Sequence, residues 1–127
     1  MNPDQFAEWL RAYGLAWNLC DAVKMVELFA EDAIFQADPF GETLRGREPI
    51  RLYWTEVMAV QTNVEYAFEV LTVTPNMGIN QWWATFAAAE PSVTIQLDGI
   101  AVVNLNSKGL CLTYHQWWHS LETAAEA

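Results

Sequence analysis

One carboxylate, Asp38, follows the apolar stretch of residues 33–37 and directly precedes Pro39. Proline restricts the residue before it to extended geometry and cannot continue a sheet ladder, so we expect Asp38 at the end of a strand. A carboxylate flanked there by Ala37 and Phe40 is poorly solvated, which suits it to act as a general base. Asp-Pro is also a common way to start a turn, so a purely structural role for Asp38 stays open.

Tyr13 is the second candidate for chemistry. Apolar residues recur around it at helical spacing, so the hydroxyl lies on the buried face of a first helix (Phe6, Trp9, Leu10, Tyr13, Trp17 and Cys20). There it can donate a hydrogen bond to a ligand oxygen. The alternative is a core tyrosine whose hydroxyl bonds to some other buried group.

The two histidines do not predict a metal site. His115 and His119 share one face of a predicted strand but lie about 13 Å apart, at roughly 3.3 Å per residue. They cannot chelate one ion together, and no other set of side chains has the spacing of metal ligands. The sequence also has no glycine-rich phosphate loop and no nucleophile elbow, so we predict neither a metal nor a cofactor.

Three predicted helices and five predicted strands must position these residues. Asn2 and Gln5 are typical of a capping box for the first helix, Asp21 of the cap of a second, and Pro49 of the first turn of a third. The first strand ends at Asp38, and residues 41–46 form a loop. Four further strands follow, over 64–74, 79–89, 93–105 and 110–119, with turns at 75–78, 90–92 and 106–109. This order indicates an α+β domain spanning residues 1–127, with the helices on one face of the sheet.

Composition restricts the partners. The chain has 127 residues, of which 53% are hydrophobic and seven are tryptophan, and its net charge is −10. Such a charge disfavours binding to nucleic acid or to anionic membranes, since both require cationic patches. No apolar run is long enough to span a membrane, the N-terminus lacks the features of a signal peptide, and Cys20 and Cys111 lack metal-ligand spacing. We therefore predict a cytoplasmic protein.

The last strand is bulky on both faces, with Tyr114 and Trp118 on one and His115, Trp117 and His119 on the other. The helices can cover only one face, and large exposed apolar patches usually mark interfaces. The sequence therefore predicts a homodimer through the outer face of the sheet.

The block around Asp38 resembles the ketosteroid isomerase branch of the nuclear transport factor 2-like (SnoaL-like) superfamily. The similar residues run from Leu28-Phe29-Ala30-Glu31-Asp32-Ala33 through Asp38-Pro39-Phe40-Gly41 to Gly46-Arg47-Glu48-Pro49-Ile50, and Lys108-Gly109 followed by Trp117-Trp118 resembles the closing hairpin of that family. The resemblance implies a cone of three helices packed on a curved, mostly antiparallel sheet that encloses an apolar pocket.

The resemblance also implies roles for single residues. The family's base falls on Asp38, although counting from the preceding helix places Ala37 there, because this chain has one extra residue. The family's oxyanion tyrosine falls on Tyr13, and its second oxyanion donor, a protonated aspartate, falls on Ala101. Together with the alternation of side chains along the strands, the resemblance implies a pocket for an apolar ligand that is lined largely by aromatic side chains, with the Gln116 amide to orient the ligand. The residues expected in this lining are Trp17, Phe29, Phe40, Trp54, Trp82, Phe86, Ala101, Tyr114, Gln116 and Trp118.

Two functions follow from these expectations. The first is a cofactor-independent enzyme of the isomerase, cyclase or dehydratase kind, in which Asp38 takes a proton next to a carbonyl and Tyr13 stabilises the enolate oxygen. The second is a non-catalytic dimeric module that binds apolar ligands or another protein. Ala101 favours the second, because losing an oxyanion donor typically costs on the order of 10²-fold in rate.

Overall fold

A computed structural model describes residues 1–88 and 92–124. The helices are α1 (Pro3–Asn18), α2 (Ala22–Val26) and α3 (Arg47–Ala59). The strands are β1 (Phe29–Gln36), β2 (Leu44–Arg45), β3 (Gln61–Val73), β4 (Met77–Ala88), β5 (Val93–Leu105) and β6 (Cys111–Ala124). None of the helices in these two ranges is long and apolar enough to cross a membrane.

The helices begin where the sequence predicts. The side chains and backbones of Asn2 and Gln5 exchange two hydrogen bonds of 2.9 Å, which is the predicted capping box. Asp21 accepts from the Lys24 backbone N–H at 3.0 Å and caps α2. Pro49 lies in the first turn of α3, which starts after Gly46 at φ +89°.

The six strands form one sheet in the order β2-β1-β6-β5-β4-β3. All neighbouring pairs are antiparallel except β1 and β6, which run parallel from Phe29↔Cys111 to Gln36↔His115. The three helices pack on one face of this sheet, which is not closed into a barrel. The predicted α+β cone with a mostly antiparallel sheet is therefore confirmed.

Several boundaries differ from the sequence prediction. β1 ends at Gln36 instead of Asp38, because a turn closed by the 2.9 Å bond from the Gly41 N–H to the Asp38 carbonyl begins there. The predicted loop 41–46 contains β2, which pairs with Ile34 and Phe35. β6 continues to Ala124, since β5 pairs with it over its whole length. The predicted turn at 90–92 lies largely outside the described residues.

The core lies between the helices and the inner sheet face and is mainly aromatic. Tyr13 is at its centre, within 5.3–5.6 Å of the rings of Trp9, Trp54, Tyr66 and Tyr114. Such offset and edge contacts contribute beyond the area they bury. Among the described residues, the buried polar ones are Asn80 and Gln116, and they flank Ala101 in register on the strands to either side.

Candidate functional site

A pocket of about 280 Å³ lies between α1, α3 and the inner face of the sheet. Its wall is largely aromatic and aliphatic, with a few polar groups (Tyr13, Trp17, Tyr53, Trp54, Val57, Gln61, Trp82, Phe86, Ile95, Leu97, Gln116, Trp118, Ser120 and Glu122). An apolar cavity with few polar groups is typical of a small-molecule site. Its volume is near the lower end of the usual range of about 300–1,000 Å³.

Tyr13 contributes to this wall from the middle of α1 and is 1% exposed. Burial raises its pKa well above the usual value, and the neighbouring Tyr114 and Tyr66 raise it further. The phenol therefore stays protonated, so it can donate a hydrogen bond but cannot serve as a base at ordinary pH.

Two acceptors in the wall, the amide oxygens of Gln61 and Gln116, are occupied within the protein. The Trp17 indole N–H donates to Gln61 Oε1 at 2.7 Å, and the Tyr114 hydroxyl donates to Gln116 Oε1 at 2.9 Å. In contrast, the indole N–H groups of Trp54 and Trp82 are buried without any acceptor. These two donors are enclosed by the protein and are not exposed in the pocket.

Asp38 lies beside the pocket but not in its wall. It is half-buried, and its Oδ1 accepts from the Phe40 backbone N–H at 2.8 Å, which closes a small turn. Its charge acts on the neighbouring Tyr53, whose pKa is raised to about 12 by burial first and by Asp38 second. Tyr53 lines the pocket, so the charge of Asp38 acts on one residue of its wall.

Ala37 meets the pocket wall through its carbonyl. Gln116 Nε2 donates to this oxygen at 3.1 Å and Trp118 Nε1 at 2.7 Å. The β1–β6 register, extended beyond Gln36↔His115, puts Ala37 beside Gln116 on the inner face. The residue that direct counting places at the catalytic position is therefore the one that touches the wall.

Six of the ten residues expected in the lining are found there: Trp17, Trp54, Trp82, Phe86, Gln116 and Trp118. Three others, Phe29, Ala101 and Tyr114, are fully buried in the core behind the wall. The alternation of side chains along a strand predicts the face on which a residue lies, but not how deep in the cone it lies. The prediction that Phe40 lines the pocket is wrong. Phe40 is 99% exposed, because the turn after Asp38 carries it away from the sheet.

Several lining residues were not predicted. Tyr53 directly precedes Trp54, which was predicted to line the pocket, so its place in the sequence was a usable signal. No sequence signal identified the polar lining residues Gln61, Ser120 and Glu122, because a polar residue near a strand end is typical of any solvated edge of a sheet. In the described ranges, no group of three His, Cys, Asp or Glu side chains is close enough to hold a metal ion.

The sequence model of the SnoaL-like domain matches residues 9–112 of the chain. Among curated proteins, none has significant sequence similarity to it.

Several solved structures are similar over most of the chain. SalBIII, an epoxide hydrolase/cyclase-like enzyme in pyran ring formation in polyether salinomycin, has a TM-score of 0.80 and 18% identity, covering 94% of this chain and 95% of its own. A computationally designed 17-OHP binder has a TM-score of 0.81 and 15% identity, covering 94% and 97%. A protein with a ketosteroid isomerase-like fold from Catenulispora acidiphila, in complex with trimethylamine, has a TM-score of 0.76 and 17% identity, covering 92% and 86%. At these identities the similarity establishes the fold alone.

Proposed function

The chain belongs to the family of SnoaL-like domains, and we propose that it is a small-molecule enzyme that moves a proton on an apolar carbonyl compound. The compound binds in the aromatic pocket, without a cofactor. Tyr13 donates a hydrogen bond to the carbonyl oxygen, and Asp38 takes a proton from the neighbouring carbon as the enolate forms. The reaction class is that of an isomerase, a cyclase or a dehydratase.

The position of Tyr13 carries this proposal. Its side chain is in the wall of a pocket that is otherwise mostly apolar, and its raised pKa keeps the donor proton in place. A preorganised donor in a site that excludes water stabilises developing negative charge more strongly than water does. An enolate oxygen beside Tyr13 is such a charge.

The fold favours a small organic ligand. The cyclase-like relative acts in pyran ring formation, and the designed relative binds 17-OHP, so the same fold accommodates ligands in related proteins.

The role of Asp38 rests on its place beside the pocket. Its carboxylate is near enough to Tyr53 for its charge to raise the pKa of that phenol. Its backbone follows Ala37, whose carbonyl is bound by two side chains of the wall. A ligand that extends from Tyr13 toward Tyr53 brings its acidic C–H toward this carboxylate.

A second candidate is a binding module without turnover. The observation that favours it is the 2.8 Å hydrogen bond from the Phe40 N–H to Asp38 Oδ1, which gives the carboxylate a structural task outside the wall. In that case the pocket binds the same class of ligand, but no proton is transferred.

Hydrogen–deuterium exchange at the α-carbon of 2-tetralone, followed by NMR in D₂O, separates the two candidates. The enzyme candidate predicts exchange accelerated by the wild type and lost in Asp38→Asn. Asp98→Asn is the matched control and retains it, because Asp98 is exposed on the strand β5 and bonds to Gln81. If 2-tetralone binds but its exchange is not accelerated, the enzyme candidate is wrong and the binding module is favoured.

Binding is measured separately by calorimetry with 2-tetralone and with tetralin, which lacks the carbonyl. We expect the ketone to bind more tightly, and Tyr13→Phe to weaken the ketone by about 2- to 10-fold, the usual worth of one hydrogen bond. Equal affinities for the two compounds in every variant would contradict a donor role for Tyr13.

We also propose that the outer face of the sheet forms a homodimer. Trp117 is 48% exposed and Leu121 is 61% exposed, and both are on the face of β6 that the helices leave uncovered. The neighbouring strands add Ile100 opposite Trp117 and Val102 opposite His115. An apolar patch of this kind is typical of an interface between subunits.

A further inference from the structure

We infer that Gln116 and Trp118 are positioning residues that hold the Asp38 turn against the ligand pocket. This inference rests on the proposed function of Asp38. In this role the two residues do more than contact the ligand. They also fix the position of the Asp38 carboxylate, which belongs to a distant segment of the chain.

The geometry at Ala37 is the main evidence. One backbone oxygen accepts two side-chain hydrogen bonds, from Trp118 Nε1 at 2.7 Å and from Gln116 Nε2 at 3.1 Å. The donors are 81 and 79 residues away in sequence, so they connect two separate parts of the chain. The acceptor directly precedes Asp38. A displacement of this carbonyl therefore displaces the peptide that carries the carboxylate.

Gln116 also connects the two proposed chemical groups. Its Oε1 accepts from the Tyr114 hydroxyl at 2.9 Å while its Nε2 holds Ala37. The Tyr114 ring stacks on Tyr13 with centroids 5.4 Å apart. The neighbour of Gln116 on β5 is Ala101, whose side chain is only a methyl group.

The turn has few other attachments to the pocket. Gln36 bonds to His115 Nδ1 at 3.1 Å, but on the opposite face of β6. The bonds from Phe40 N–H and Gly41 N–H to Asp38, and from Gln36 to the Pro39 carbonyl at 3.3 Å, stay within the turn. On the pocket side, the described side-chain hydrogen bonds of this segment are those of Gln116 and Trp118, next to the backbone pairing of β1 with β6 that ends at Gln36↔His115.

A consequence follows for ligand binding. Trp118 is 38% exposed and lines the pocket, so a ligand that contacts its ring also acts on the donor to Ala37. The ligand and the Asp38 turn are thereby coupled through one indole. Trp17 provides a contrast, because it lines the same pocket but donates to Gln61 on β3 instead.

Amide hydrogen exchange of Phe40, measured by NMR on the protein without ligand, tests this positioning role. The Phe40 N–H reports on the turn, because it bonds to Asp38 Oδ1. We expect Trp118→Phe and Gln116→Leu each to speed its exchange about 2- to 10-fold, which corresponds to the loss of one hydrogen bond. Trp17→Phe makes the same chemical change in the same pocket and leaves the rate as in the wild type. Unchanged exchange in both Trp118→Phe and Gln116→Leu, or an equal rise in Trp17→Phe, overturns the inference.

A double-mutant cycle on the affinity for 2-naphthol, a phenolic mimic of an enolate, adds a functional readout. Coupled residues give non-additive effects, whereas independent ones add. We expect Trp118→Phe and Asp38→Asn to be non-additive, and Trp17→Phe and Asp38→Asn to be additive. If Asp38→Asn alone changes the affinity but the effects are additive in both cycles, the coupling between Trp118 and Asp38 is overturned. If Asp38→Asn alone leaves the affinity unchanged, the proposed base is wrong, and the exchange rate of Phe40 alone decides the positioning role.

Discussion

At the scale of single residues, one position separates the expected site from the observed arrangement. Direct counting favoured Ala37 at the catalytic position and motif matching favoured Asp38. The structure puts the Ala37 carbonyl against the wall and Asp38 at the turn beside it. The sequence could indicate both Ala37 and Asp38, because the proline and the end of the apolar stretch can be identified from it. It could not give the hydrogen bonds from β6, because these depend on a pairing between distant segments.

Gly99 is the residue whose replacement should disturb the pocket wall most directly. A Cβ atom there would lie 2.5 Å from the Trp117 carbonyl oxygen and 2.8 Å from Trp82 Nε1. Neither can yield easily, since one is backbone and the other is a buried ring. We expect Gly99→Ala to reduce the free energy of unfolding by about 1–3 kcal/mol, as overpacked core positions do.

Denaturant unfolding measures this change. Gln96→Ala serves as the control, because Gln96 is exposed on the same strand and should change the free energy of unfolding by no more than about 0.5 kcal/mol. A Gly99→Ala variant as stable as the wild type would mean that the Trp82 ring is free to move away from β5.

At the scale of elements, local signals located the helices well. The capping box, the Asp21 cap and Pro49 act within one turn of chain, so sequence spacing is enough to identify them. The strand ends were less accurate, because β2 exists only through its pairing with β1, and β6 is prolonged by its pairing with β5. Partners that are distant in sequence determine those limits.

The capping box of α1 gives a prediction at this scale. Asn2→Ala removes the acceptor of the Gln5 N–H, so it should lower the free energy of unfolding by about 1 kcal/mol. Asn2→Asp keeps an acceptor at the same place and adds a charge that is favourable near a helix N-terminus. Thermal and denaturant unfolding should therefore rank Asn2→Asp close to the wild type, and a reversed order would contradict this account of the cap.

At the scale of the whole molecule, all four tyrosines have raised pKa values. Burial is the main cause for each: the pKa of Tyr53 is raised to about 12, and the pKa values of Tyr13, Tyr66 and Tyr114 are also raised well above the usual value. The unfolded chain ionises its tyrosines near pH 10, whereas the folded chain keeps them protonated. Their contribution to stability is therefore complete below about pH 10 and is lost as the pH rises through the folded values.

The absorbance of tyrosinate during an alkaline titration checks this expectation. The folded protein should give little signal at pH 10–11 and then a steep rise that coincides with loss of the tertiary circular dichroism signal. The chain in concentrated denaturant should titrate gradually near pH 10. A folded protein that releases tyrosine protons at pH 10 would have an open, solvated core.

The proposed dimer is tested by sedimentation. Trp117→Arg puts a charge in the uncovered face of the sheet and should convert a dimer into a monomer at micromolar concentration. Leu15→Arg is the matched control, because Leu15 is 59% exposed on α1, away from that face. The proposal is wrong if the wild type itself sediments as a monomer.

The parallel pairing of β1 with β6 also has a consequence for the protein during synthesis. β1 leaves the ribosome long before the strand that lies beside it, since Gln36 and His115 are 79 residues apart. Such long-range closure is slow, because the loop entropy must be overcome before the contacts form. Nascent chains therefore carry β1 with one free edge and an exposed aromatic core for most of translation. We expect chaperones that bind extended apolar segments to recognise this stretch, and the Asp38 turn to acquire its native bonds only after residue 118 has emerged.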